Sequence, residues 1–214
     1  MKNSKSCFIA IEGIDGSGKS TQIQELSNWL PTSGLMPKDS NLIITKEPGG
    51  TLFGQEIRNL LLSHQTKIKP DRIAELLLYF ADRAQHISEV IKPALNKNDW
   101  VISDRFSGST LAYQGYGRDL DKNLIINLEK IVCGETQPDI TLWLDISEEE
   151  SIYRRKHITN DRIEAEGIHF LKKVNKGFSI IAKERNWERI CANQDPSDVS
   201  ISIKRLLNKL LANQ

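Results

Sequence analysis

The chain has 214 residues, a formal net charge of +1, and 39% hydrophobic against 27% charged residues, a profile that suits a globular protein with an ample core. It lacks the basic excess of a nucleic-acid binder, no apolar run approaches the roughly eighteen residues of a membrane span, and Met1 to Ser6 is too short and polar for a secretory signal. Cys7, Cys133 and Cys191, odd in number and far apart, read as reduced core thiols of a cytoplasmic protein.

Along the chain, apolar runs alternate with segments of helical period. CFIAIEG predicts a buried strand, followed by a helix from about Lys19 to Leu30 with Ile23, Leu26 and Leu30 inward. NLIITKE predicts a second strand, and helical patterns occupy roughly Leu52 to Ser63 and Asp71 to Leu95. In the latter, Ile73, Leu77, Phe80, Ala84 and Ile87 form one stripe, expected to be buried. DWVISDR predicts a third strand, DITLWLDI a fourth and WERICAN a short fifth. The last helix, Pro196 to Leu211, repeats Val199, Ile203, Leu206, Leu207, Leu210 and Leu211 at helical spacing. This alternation predicts an α/β fold, a five-stranded parallel sheet flanked by helices. No repeat or linker divides it, so residues 1–214 are expected to form a single domain, with a polar lid segment at about 147–166.

The stretch GIDGSGKS, comprising Gly13, Ile14, Asp15, Gly16, Ser17, Gly18, Lys19 and Ser20, matches G-x-x-x-x-G-K-S/T. It stands between a predicted strand and a predicted helix that continues through Thr21, the context this motif requires. Glycines let the backbone wrap around phosphates with its N–H groups inward, at the positive end of a helix dipole. Lys19 would reach the outer phosphates of a nucleoside triphosphate, and Ser20 would ligate Mg²⁺. Lys19 is the only cation of the loop, so a transfer between two anionic molecules needs positive charge from elsewhere in the chain.

A GTP-hydrolysing switch is one alternative, since NKND at Asn96 to Asp99 resembles a guanine-reading N-K-x-D. That tetrapeptide precedes the third strand, however, whereas ligands of such sheets gather beyond the carboxyl ends of strands. DRFSG also lacks D-x-x-G spacing, and a polar turn accounts better for NKND. The other class passes a phosphoryl group to a second small molecule, and four segments carry candidates for it. TKEPGGT leads into a helix bearing Arg58, which reads equally as a turn followed by a surface charge. Tyr79 and Arg83 share one helical face; ring and guanidinium could stack on a flat base and donate to its exocyclic oxygen, although an ordinary surface pair fits the same spacing.

Asp104 and Arg105 fall where the third strand would end, beside the glycine-rich loop. The carboxylate suits Mg²⁺, directly or through water, and the guanidinium fork suits a phosphate, while an ion pair closing the strand also explains both. Thr110, Tyr113 and Gln114 follow on a short helical stretch, where the Gln114 amide could read a base edge. In SEEESIYRRKHITNDRIE, Ser147 and Glu150 suggest a capping box, and Arg154, Arg155 and Lys156 crowd the last turn. A helix dipole favours that distribution anyway, yet on an excursion after strand four the same cations can close over a triphosphate.

Together EGIDGSGKST, KEPGGT, LLLYFADR, DRFSGSTLAYQGYGR, PDITLWLD and DRIE, in that order between about Phe8 and Asp195, resemble the thymidylate kinase family. The run D-R-F/Y/H-x-x-S-x-x-A-Y-Q-G is far more specific to that family than the glycine-rich loop. The resemblance implies a P-loop nucleoside-monophosphate-kinase-like three-layer fold, Mg²⁺- and ATP-dependent conversion of dTMP to dTDP for dTTP synthesis, and a homodimer. It implies Arg58 and Arg105 on the dTMP phosphate, Tyr79 stacked on thymine, and Arg83 at thymine O4. Thr110 and Gln114 complete the base pocket, and Tyr113 packs against the sugar and disfavours a 2′-hydroxyl. Asp15 and Glu164 join the acceptor site, and the turn from Asn193 to Asp195 offers backbone groups to adenine. Some members carry an arginine directly after the loop carboxylate, where this chain has Gly16; those without it place catalytic arginines on the lid. Arg155 falls in the family's arginine register when DRIE is aligned, with Arg154 second. A deoxynucleoside kinase, a kinase for another nucleoside monophosphate and a non-catalytic ATP-binding module are the alternatives.

Overall fold

The computed structural model describes residues 6–62, 70–156, 163 and 166–211. Among these residues, strands β1 (Phe8–Glu12), β2 (Leu42–Lys46), β3 (Trp100–Asp104), β4 (Ile140–Asp145) and β5 (Glu188–Cys191) pair in parallel in the order β2-β3-β1-β4-β5. β1 is buried at every position because helices cover both faces of the sheet, which is why it reads as an unbroken apolar run. Its residues alternate between two layers. Ile9 and Ile11 pack with Ile102, Leu142 and Leu144 on one face, while Phe8 and Ala10 pack with Val101 and Phe106 on the other. The neighbours of β1, which are β3 and β4, lie on opposite sides of it, so a crevice opens beyond its carboxyl end, where α/β sheets place their ligands.

The helices are α1 (Lys19–Trp29), α2 (Leu52–Leu62), α3 (Arg72–His86), α4 (Lys92–Asn96), α5 (Ser107–Thr110), α6 (Lys122–Cys133), α7 (Glu148–Arg155), α8 (Ile168–Glu184) and α9 (Pro196–Leu211). Asp71 caps α3 by accepting from the Ile73 N–H at 2.9 Å. The long pattern expected to Leu95 is real but not uniform: α3 passes through a π turn, Ile87–Ile91, into α4. A second π segment, Leu111–Gly117, continues α5. Periodicity alone did not delimit α6 and α8. NKND is the polar turn between α4 and β3, with Asn98 in the left-handed region at φ 60°.

Two expectations are corrected. Phe80 and Ile87 are buried, but Ile73 and Leu77 are 42% and 49% exposed and Ala84 is exposed as well. The inward side of α3 instead carries Glu75, Leu76, Phe80, Asp82, Arg83 and His86, because this helix lines a polar site. Cys7 and Cys133 are core thiols, pushed up to about 12 chiefly by burial, but Cys191 is exposed at the end of an outer strand.

Candidate active site

The loop after β1 must reverse the chain at close quarters. Gly18, in the left-handed region at φ 92°, stands at the N-cap of α1, where an L side chain would be strained. The Lys19 ammonium folds back onto the carbonyls of Gly13 and Ile14, 3.1 Å from each, and lies 3.9 Å from Asp15. Burial and the nearby Arg105 lower its pKa, against the pull of Asp15 and Asp104. Gly16 to Thr21 line a cleft of about 1110 Å³ together with Asp104, Arg105, Arg154, Arg155 and the turn from Asn193 to Pro196. Asp104 has a buried carboxylate oxygen without a hydrogen-bond partner, on the same cleft as the exposed Ser20. Hard oxygen donors of this kind fit Mg²⁺, which takes few protein ligands when a triphosphate supplies the rest.

Helix α7 docks on the loop. Ser147 caps it by accepting from the Glu150 N–H at 3.2 Å, while the Glu150 carboxylate accepts from Arg154 at 2.7 Å; one half of the expected capping box therefore forms. The Ser151 hydroxyl donates to the Asp15 carbonyl at 2.7 Å. Arg154 also donates to the carbonyl of the buried Ala192 at 2.9 Å. Arg155 lies over the loop. A Cβ on Gly16 would come within 3.2 Å of the Arg155 Cγ and 2.9 Å of the Ser151 carbonyl.

A second, smaller cavity of about 80 Å³ opens beside the cleft. Its lining brings together Asp15, Arg58, Tyr79, Arg83, Arg105, Thr110, Tyr113 and Gln114, along with Glu47 and Ile163. Asp15, Glu47, Arg58 and Arg105 border both spaces. Arg105, left-handed at φ 70°, donates to the Gly13 carbonyl at 2.8 Å, to Ser109 Oγ at 3.0 Å and to the Asp15 carboxylate. The Tyr113 hydroxyl donates to Asp15 at 3.0 Å. Burial alone would raise the pKa of Asp15, but Arg105 and Lys19 outweigh it and hold the carboxyl well below the usual range. Arg58 donates to the Pro48 carbonyl at 2.9 Å.

Deeper in this cavity, the polar atoms form a pattern. Arg83, 2% exposed, donates through Nε to Glu47 and through Nη2 to Thr110, each at 2.8 Å. Its Nη1 is buried without a partner. The Gln114 amide nitrogen donates to Glu75 at 3.1 Å, which leaves the amide oxygen for a ligand. A flat base entering here meets a guanidinium donor beside an amide acceptor. Glu164 lies outside the described residues.

The chain has known relatives. A family model described as thymidylate kinase matches residues 11–203. The chain belongs to the thymidylate kinase family. It is 59% identical over 209 residues to a thymidylate kinase of Prochlorococcus marinus strain MIT 9515, covering 98% of this chain and all of the relative. It is 56% identical over 205 residues to a thymidylate kinase of Synechococcus sp. strain CC9605, covering 96% and 98% of the two chains. Among solved structures, the thymidylate kinase of Ehrlichia chaffeensis superposes with a TM-score of 0.73 at 35% identity, covering 95% of this chain and 99% of that one. The five-stranded parallel sheet between helical layers is thus the fold of a P-loop nucleoside-monophosphate kinase.

Reasoning from the sequence passed over the acids that support this site. Glu12, Glu47 and Glu75 are 1%, 4% and 1% exposed. Glu12 accepts from the N–H groups of Phe106 and Ser109 and from the Ser109 hydroxyl; burial, more than these bonds offset, raises its pKa. Glu75 accepts from Arg118 as well as Gln114. The available signal was an acid inside an otherwise apolar or turn motif, in IAIEG, KEPGG and IAELLL, because a buried acid must have partners.

Proposed function

We propose that this protein transfers the γ-phosphoryl group of ATP to the phosphate of dTMP, forming dTDP for dTTP synthesis. The observation that carries this reading is the pair of adjoining spaces, a P-loop cleft and a base-sized pocket, with Arg58 and Arg105 on their common wall. Lys19 turns from the Gly13 and Ile14 carbonyls to the outer phosphates of ATP, which the loop N–H groups cradle. Arg58 and Arg105 grip the acceptor phosphate and offset its repulsion from the donor. Tyr79 stacks on the base, Arg83 and Gln114 read its edge beside Thr110, and Tyr113 with Asp15 bounds the sugar. The family resemblance would add Glu164, which lies outside the described residues, to the acceptor site. A phosphate oxygen of dTMP forms the new bond to the γ-phosphorus as the bond to the β–γ bridging oxygen breaks and ADP leaves. The attacking oxygen is already anionic, so no strong base is required, and the protein mainly positions and neutralises. Mg²⁺, held by Ser20 and Asp104 directly or through water, adds charge neutralisation when bound.

We assign the missing positive charge to the lid, at about residues 147–166 of a single domain spanning 1–214, with Arg155 as the catalytic arginine and Arg154 in support. The close approach of the Arg155 stem to Gly16 supports this order. A homodimer is supported by the apolar outer faces of α2, α3 and α6. Three cysteines without a disulfide among them support a cytoplasmic setting, and no described helix is long and apolar enough to cross a membrane.

The test is ADP formation from Mg²⁺·ATP with dTMP, dUMP, dCMP, dGMP, AMP and thymidine offered separately. Strong preference for dTMP with thymidine silent is expected. Turnover of thymidine would indicate a nucleoside kinase, and ATP binding without turnover of any acceptor would indicate a non-catalytic module.

A further inference from the structure

On the wall of the acceptor pocket, Arg83 is joined by Glu47 and His86, two groups that the transfer as proposed does not use. Glu47 follows β2, and its N–H donates to the Asp104 carbonyl at 2.9 Å, extending the ladder and fixing where its side chain emerges. One carboxylate oxygen accepts from Arg83 Nε at 2.8 Å, and the other lies 2.9 Å from His86 Nδ1. A carboxylate only accepts, so Nδ1 carries a proton; the other ring nitrogen is 2.6 Å from Thr45 Oγ1. His86 is fully buried, so Glu47 is held from both sides.

We infer that Glu47 is a positioning residue for base selection: it aims Arg83 at the acceptor base. The inference rests on the thymidylate kinase reading of the pocket. A guanidinium is a rigid planar fork. Once Glu47 holds Nε and Thr110 holds Nη2, the direction of Nη1 is set, and that group is the buried donor without a protein partner. Arg83 then presents only a donor to the pocket, while Gln114 presents an acceptor. This pair complements a base edge with a carbonyl oxygen beside a ring N–H and opposes one with an amino group beside a bare ring nitrogen. Without the Glu47 charge, Arg83 has a rival partner. The buried Asp82 carboxyl, the residue before Arg83 in α3, has one oxygen unpaired, so a fork released from Glu47 has another acid to turn to. The adjoining Pro48 carbonyl orients Arg58, and one short turn thereby sets both the base reader and a phosphate ligand.

Glu47→Gln keeps the shape and removes the charge, and Glu47→Asp keeps the charge but withdraws it by one methylene. For each variant and the wild type, kcat and KM would be measured with dTMP, dCMP and ATP, alongside Tm. In Glu47→Gln, the dTMP KM is expected to rise by about tenfold or more, and the kcat/KM preference for dTMP over dCMP to fall at least as far, with the ATP KM within about twofold of wild type. Glu47→Asp is expected to shift in the same direction by less, and it carries the test if the Gln variant does not fold. An unchanged dTMP preference in a folded variant, or an ATP KM that rises in step with that of dTMP, overturns the inference. A wild-type enzyme that shows no preference for dTMP overturns the functional reading itself, so the two failures are distinct.

Discussion

At Arg105 the backbone is left-handed and the guanidinium already bonds Gly13, Asp15 and Ser109, so the group proposed to grip the acceptor phosphate is held in place without substrate. Such preorganisation lowers the reorganisation needed during transfer. The arginine proposed for the lid would differ, because its target charge develops only as the phosphoryl group moves. Arg155→Ala is expected to lower kcat by about 10³-fold, as for arginine fingers, and Arg154→Ala by much less; steady-state rates at saturating ATP and dTMP check this order, and the reverse order would reassign the role. Arg83→Ala should act twice. It removes the base donor, raising the dTMP KM well before that of ATP, and it strands the buried Glu47 charge, at a cost of about 3–5 kcal/mol. A lower Tm together with the selective KM change is the expected signature.

Between elements, the decisive contact is α7 on the glycine-rich loop. Gly16 is at φ 79°, and an added Cβ would meet the Ser151 carbonyl at 2.9 Å and the Arg155 stem at 3.2 Å. Gly16 is thus where α7 approaches the loop closely enough to exclude a side chain. Gly16→Ala is expected to lower kcat at least tenfold by displacing Arg155, while left-handed strain costs about 1–2 kcal/mol of stability. Comparing kcat with Tm separates the two effects, and a normal kcat would deny that the approach matters. Helix α3 shows the other lesson of this scale. It turns Glu75, Asp82, Arg83 and His86 inward and Ile73, Leu77 and Ala84 outward, the reverse of a surface helix, because one side lines a binding pocket.

For the whole molecule, that reversed helix leaves an apolar face. Phe53 and Leu60 on α2, Ile73 and Leu77 on α3, and Leu124 and Ile131 on α6 are exposed, and α3 packs against both α2 and α6. Such a surface suits a second copy. Leu77→Glu combined with Ile131→Glu is expected to convert a dimer to monomers in sedimentation; a wild-type monomer at micromolar concentration would dismiss the dimer. Stability should also depend on pH through Asp82, whose carboxyl burial pushes up from 3.8 to about 6. Below pH 4 the group is protonated whether folded or unfolded. As pH rises to 6, the unfolded chain releases this proton first, so stability falls over that window. Asp82→Asn removes the dependence, and its Tm advantage over wild type is expected to grow from pH 4 to 6 and then level off.

The sequence by itself determined the strand–helix alternation, the phosphate loop and most of the residues that meet around the two spaces, because those signals are local: an apolar run, a glycine spacing, a D-R-F-S-G-S-T-L-A-Y-Q-G string. It also grouped Ile73, Leu77, Phe80, Ala84 and Ile87 into one stripe expected to be buried, but a period says only which residues share a face. Whether each meets the core, a ligand or another molecule depends on what packs opposite, and here Phe80 and Ile87 are buried while Ile73, Leu77 and Ala84 are exposed. Only the tertiary structure decided that Arg83 is held by Glu47 rather than exposed, that Gln114 offers its oxygen rather than its amide N–H, and that Arg155 lies nearer the loop than Arg154. Each depends on partners dozens of residues away in the chain, brought together by the order of strands in the sheet, and no local pattern encodes that order.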